Sequence, residues 1–320
     1  MPKLILLRRT APFADCAPKA AELGSHHTSL GVSMAILRFA LSATIFAPCL
    51  ALAQPAPAGP PTPPSREAIA NFIDTFATPT HMSGKVARWE EPVCPVMTGQ
   101  KPNVSAFVTQ HVTAVAAAVG APVNSDKACT PNIEIVFTTA PQALLDNVRQ
   151  RSADYIGYAS SASELEKLAT VTHPIQAWYA TGIRDARGRY TTDSGRDRGV
   201  STSANTAKVT GFRLTDGQHT IIHHVLIVID PAKLPVQEIV PLSDYIAVLA
   251  LAQIGSLDDC RPLPSIANML APACDRKTNS ITANDLAYLH GLYKMPSDRL
   301  QLAIQKNDIA DGMAQALGTR

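Results

Sequence analysis

From Ser65 onward, apolar residues recur at helical spacing. Ile69, Phe72, Ile73 and Phe76 fall at i, i+3, i+4 and i+7, which predicts an amphipathic helix capped by Ser65 and ending at Thr78-Pro79. A longer stripe of Val104, Phe107, Val108, Val112, Val115 and Val119 predicts a second helix, capped by Asn103 and stopped by Gly120 and Pro122. Thr139-Ala140-Pro141-Gln142 reads as a capping box with proline at the first helical position, opening a third helix that buries Leu144, Leu145 and Val148. Residues 132–138 (NIEIVFT) alternate and are β-branched, so they predict a strand, as do 175–183 and the apolar run 219–229 (HTIIHHVLIVI). Residues 89–96 read as a strand broken by prolines. Residues 242–255 (LSDYIAVLALAQIG) are apolar almost all round, which predicts a buried central helix. Thr282-Ala283-Asn284-Asp285 caps a further helix carrying Leu286, Leu289 and Tyr293. A last helix after Ser297 runs through Leu300, Ile304, Met313 and Leu317. No internal repeat is visible. This order predicts one α+β domain over residues 65–320, a mixed sheet with helices packed on it.

Upstream of the domain the pattern changes. Residues 34–53 (MAILRFALSATIFAPCLALA) place Arg38 before an uncharged apolar run that ends in the small-x-small site Ala51-Leu52-Ala53, the layout of a secretory signal peptide cleaved before Gln54. A Pro/Ala spacer, 54–64, follows. Residues 1–33 have no sustained apolar period and fall outside the fold, as a mis-assigned start would. The apolar run is shorter than the roughly 20 residues of a bilayer span and is interrupted by Pro48. Pro48 also spoils a lipoprotein signal at Cys49. The expectation is a periplasmic or secreted protein with no membrane span in the mature chain.

That compartment sets how the cysteines are read. Cys16 and Cys49 lie in discarded segments, which leaves Cys94, Cys129, Cys260 and Cys274. In an exported chain these predict two disulfides. Three pairings are possible, and the smaller loop-closure cost favours Cys94–Cys129 with Cys260–Cys274. No cysteine pair has the short separation of a structural zinc knuckle. Charge is nearly balanced, 28 basic against 26 acidic residues, so nothing in it calls for nucleic acid; an envelope partner or a small ligand fits better.

Motifs that would carry chemistry are absent. No two glycines are separated by a single residue, so there is no G-x-G-x-x-G, and G-x-S-x-G, S-x-x-K and H-E-x-x-H are missing as well. No cofactor and no metal are expected. His223-His224 is the most suggestive pair, but neighbours on a regular strand point to opposite faces and cannot chelate one ion. His111 lies on an apolar helix stripe and reads as a satisfied, half-buried histidine. His290 sits in a last helical turn, where a cation is favoured. Asp258-Asp259 reads as a solvated loop, and Arg184, Arg187, Arg189, Arg196 and Arg198, interleaved with Asp185, Asp193 and Asp197, as a solvated hairpin tip.

The segments HVLIVID, PLSDYIAVLALAQIG, PSIANML and ITANDLAYLHGLYKM, within residues 221–313, resemble a group of uncharacterised exported proteobacterial proteins with a zincin-like layout. In that layout the last strands precede the helix that holds H-E-x-x-H in true zincins. Here the helix offers Ser243, Asp244 and Tyr245 instead, so the resemblance implies a scaffold without zinc ligands and without a glutamate base. Two readings follow. One is a non-catalytic envelope protein, favoured by the missing motifs. The other is a hydrolase with a site at the junction of strand 219–229 and helix 242–255, built from Ser243, Asp244 and His223 or His224. Convergence of those side chains in an open pocket separates the two.

Overall fold

The computed structural model describes residues 63–124, 128–192, 208, 213–234 and 238–319. The predicted leader, residues 1–33, most of the spacer and the part of the hairpin tip from 193 onward lie outside them. Every described residue belongs to one compact unit, Ala58–Arg320.

The eleven-residue strand β6 (His219–Ile229) is the axis of the domain. Along one edge its first half pairs with β1 (Arg88–Trp89) and its second half with β3 (Ile133–Phe137), both parallel. β3 pairs in parallel with β2 (Pro95–Thr98). The other edge takes β4 (Ile175–Arg184), antiparallel, followed by β5 (Tyr190–Thr192). The order β2-β3-β6-β4-β5 is a mixed sheet, as the element sequence predicts. Strands whose residues are apolar at both parities must be covered on both faces. Val225, Ile227 and Ile229 belong to the large core, and Leu226 and Val228 to a smaller one with Trp178, Leu145 and Ile156.

The large core is closed by α1 (Arg66–Phe76), α2 (Pro102–Val119), α5 (Ile239–Leu251), α6 (Ala283–Lys294) and α7 (Leu302–Leu317). The small one is closed by α3 (Pro141–Arg151) and a tight turn at Ala153–Ile156. A short helix α4 (Ala162–Leu168), which the apolar spacing does not announce, has no buried residue. Two glycines let α6 and α7 touch. A β-carbon on Gly291 would lie 2.6 Å from the Ile309 carbonyl oxygen.

Helix starts differ from expectation for local reasons. Ser65 and Thr282 do cap α1 and α6, the latter in a full capping box with Asp285. α2 instead begins at Pro102, after Lys101 and ahead of Asn103, because proline's missing N–H costs nothing in a first turn. α3 has no side-chain cap either; Ala140 precedes Pro141, and Thr138 rather than Thr139 accepts a backbone bond, from Ala140 N–H. α5 starts at Ile239 and ends at Leu251, shifted from 242–255. Pro241 sits in its first turn, and its last carbonyls are met by tyrosines. The Tyr179 hydroxyl donates to Leu249 and Ala252 oxygens (2.8 and 3.0 Å), and that of Tyr293 to Leu251 (2.6 Å). Residues 241–251 are all buried, so the central helix has its expected place.

Both disulfides take the expected pairing, Cys94–Cys129 and Cys260–Cys274, with Cα separations of 6.0 and 5.2 Å. Among the described residues no helix is long and apolar enough to cross a membrane.

Candidate functional site

The four residues proposed from sequence do not meet. Because α5 starts before Leu242, Ser243 and Asp244 stand in its second turn and cap nothing of their own helix. Ser243 is fully buried and its hydroxyl donates to the Val240 carbonyl (2.8 Å). Asp244 faces α2: one oxygen holds His111 Nε2 at 2.6 Å, the other accepts from Ile281 N–H at 2.8 Å. It thus ties α2, α5 and the segment before α6 together. His111 is the satisfied, half-buried histidine that its stripe predicts, with Phe107 stacked on it at 6.2 Å.

His223 and His224 belong elsewhere, on β6, whose following residues alternate between the two cores. They also correct the expectation that neighbouring side chains must diverge. Ala180 of β4 opposes His224 and Thr181 opposes Ile222, so β6 bulges at His223. The extra residue restores Ile222 and Val225 to the large core. It leaves both imidazoles beside the turn Ala153–Ile156: Tyr155 stacks on His224 at 3.9 Å, and Asp154 acts electrostatically on His223. Burial first, then the neighbouring His224, pushes His223 down to about 4. The hydrogen bond from His224 Nε2 (3.4 Å) holds the Glu134 carboxyl below its ordinary range. His224 Nδ1 is buried without a partner.

The same helices that hold Asp244 enclose a cavity of about 260 Å³, lined by Gln100, Val104, Phe137, Pro231, Leu234, Ile239 and Leu242. Its position follows from the topology. Gln100 comes two residues after β2, Phe137 ends β3, and Pro231 comes two residues after β6. Val104 and Ile239 belong to the first turns of α2 and α5. Outside the carboxyl ends of parallel strands is where open sheets take ligands, because the chain turns away on both sides and leaves a crevice. Six walls are apolar and one, Gln100, is an amide. Phe107 (41% exposed) and Val240 (50% exposed) lie one helical turn from Val104 and next to Ile239. Sequence reasoning places Phe107 in the core; in the structure it is among the more exposed large apolar side chains of α2. No motif marks this cavity, since its residues come from three separate stretches of the chain, 100–104, 137 and 231–242.

Other charged groups are structural. Lys85 Nζ, buried, meets both oxygens of Asp216 (2.8 and 3.0 Å) and the Gln218 carbonyl. Arg261, fully buried, gives its guanidinium to the carbonyls of Asp259 and Ser256 and lies 5.4 Å from the Phe76 ring centre. In the hairpin tip Asp185 is buried, not solvated as expected, because it accepts from Arg187 and Arg189 N–H and from the Arg189 side chain. Among the described residues the only cluster of metal-ligating type is Cys260, Cys274 and Asp275, and its two sulfurs are spent in a disulfide. Compared with family models, with curated proteins and with solved structures, the chain finds no match.

Proposed function

We propose that the protein is exported, is cleaved after Ala53, and binds a small, largely apolar molecule in the cavity at the carboxyl ends of β2, β3 and β6. One observation carries this: three parallel strands end around a single apolar cavity that has one amide on its wall. Apolar walls supply affinity by removing ligand surface from water, and a single polar group fixes orientation. The ligand class is therefore a compact hydrocarbon or aromatic body with one hydrogen-bonding group for Gln100. No reaction is placed at α5, because Ser243 and Asp244 are consumed in holding helices together. Export rests on residues 34–53 and is supported by two disulfides.

The binding claim is tested by titrating the mature protein with N-phenyl-1-naphthylamine, a small fluorophore that brightens in apolar surroundings. The wild type is expected to show saturable, one-to-one enhancement. Val104→Trp, which fills the cavity from a half-buried position, is expected to weaken binding at least tenfold, whereas Thr113→Val, elsewhere on α2, leaves it unchanged. Equal binding by Val104→Trp overturns the reading. Export is tested separately, by sequencing the amino terminus of protein recovered from outside the cytoplasm; it should begin at Gln54.

A further inference from the structure

A second cavity, of about 200 Å³, lies at the start of β4 and is lined by Thr172, His173, Gln176, Ala177, Tyr179, Leu249, Ile254, Gly255 and Leu257. Thr172, His173 and Gln176 bear its chemistry. The Thr172 hydroxyl is 2.8 Å from His173 Nδ1, and His173 Nε2 is 3.0 Å from Asp258 Oδ1. The carboxylate can only accept, so Nε2 carries the proton. In the neutral ring Nδ1 is then a lone pair, and the threonine O–H is shared between it and Gln176 Oε1, 3.3 Å away. A hydroxyl, an imidazole and a carboxylate are thus in series, each on its own ring nitrogen, which is how a nucleophile, its base and the group that orients the base are recognised in any fold.

One further feature completes the set. The backbone N–H groups of Thr172 (2.9 Å) and His173 (3.4 Å) converge on a single oxygen, Oε1 of Gln176. Two amide donors aimed at one oxygen beside a hydroxyl nucleophile form the geometry that stabilises an oxyanion. Here the Gln176 side chain fills it, so a substrate carbonyl would take the place of that amide. The segment is anchored on both sides: Pro174 O accepts from Asp230 N–H at 2.8 Å, and the Tyr179 hydroxyl is fixed on the last turn of α5. Thr172 is exposed, as a nucleophile must be.

We infer that Thr172, His173 and Asp258 form a hydrolytic site for small carboxylic esters. Thr172 Oγ attacks the acyl carbon, its proton passing to His173 Nδ1. The ester C–O bond breaks, and the departing alkoxide takes that proton from His173. Water, deprotonated by the same nitrogen, then attacks the acyl-threonine and releases the carboxylate and the free hydroxyl. The apolar floor of Leu249, Ile254 and Leu257 and the modest volume restrict the acyl group to a short chain.

The test uses p-nitrophenyl acetate for turnover and a fluorophosphonate for covalent capture, in which the P–F bond breaks and fluoride leaves. Peptide mapping of the intact mature protein is expected to place one adduct on Thr172. Thr172→Val keeps the branched shape and should abolish both labelling and turnover. His173→Gln should lower kcat at least about a hundredfold, the usual share of a general base. Asp258→Asn should lower kcat about tenfold with KM unchanged. Thr113→Val, on α2 and lining neither cavity, should change none of these, and the naphthylamine titration reports the other cavity without reference to turnover, so failure here and failure of the binding claim are distinguishable. The inference is overturned if the wild type is not labelled, if Thr172→Val is labelled at the wild-type rate, or if His173→Gln turns over normally.

Discussion

The two disulfides close loops of different length, and that difference has a measurable consequence. Cys94 and Cys129 are 35 positions apart, Cys260 and Cys274 14. In the chain-entropy account the stabilisation grows with the logarithm of loop length, giving about 3.8 kcal/mol for the first bridge and about 3.0 kcal/mol for the second at 25 °C. The shorter loop is also tied down by side-chain hydrogen bonds. Arg261 and Asn268 make buried hydrogen bonds across it, and Asp285 receives the Ser265 hydroxyl and Ile266 N–H. Those bonds exist in the folded state with or without the bridge, so they do not alter the entropic ranking. Urea unfolding of Cys94→Ala/Cys129→Ala and Cys260→Ala/Cys274→Ala, followed by circular dichroism, should therefore show the larger loss for the first pair, by somewhat under 1 kcal/mol. The m-value should rise in both, because the freed denatured chain exposes more surface. Removing both bridges sums to about 7 kcal/mol, a sum comparable to the whole stability of an ordinary domain, so that variant should not fold. A reversed ranking, or a loss below about 1 kcal/mol for either pair, refutes the argument that the bridges act through the unfolded chain.

Other consequences are as direct. His223 is held neutral in the fold down to about 4, whereas in the unfolded chain it titrates near 6.5, so between these values the unfolded state binds the extra proton. Stability should fall as pH drops through that window, by about 2 kcal/mol once partial exposure is allowed for, and His223→Gln should flatten the slope. Gly291→Ala drives a methyl group into the Ile309 carbonyl and should cost about 1–3 kcal/mol in thermal or urea unfolding. Asp244→Ala strands Ile281 N–H and His111 and should cost about 1–3 kcal/mol. Ser243→Ala should cost no more than about 1 kcal/mol.

Much of the fold was legible because periodicity and burial are two views of one fact. The run HVLIVI is apolar at both parities and is buried on both faces; residues 241–251 are apolar almost all round, Ser243 and Asp244 excepted, and are buried all round. The cysteine pairing followed from loop entropy alone. What escaped was set by single atoms or distant partners. Whether Asn103 or Pro102 opens a helix turns on one missing N–H. The place of Asp244 depends on partners 133 positions back and 37 positions on. The bulge at His223 inserts one residue into a strand whose composition gives no sign of it, and it reverses the inference about the two imidazoles. Neither cavity could be read from sequence. The first takes its walls from three stretches up to 142 positions apart, and in the second a carboxylate 85 positions away completes the Thr172–His173 pair.

The central claim is that the crevice past β2, β3 and β6 is a ligand site. It is tested most directly by a crystal structure of the mature protein soaked with 4-bromophenol, a compact aromatic with one hydroxyl and an anomalous scatterer. The account predicts a bromine peak enclosed by Val104, Phe137, Leu234 and Leu242, with the hydroxyl bonded to Gln100. Bromine found only elsewhere, with this cavity empty, would contradict it.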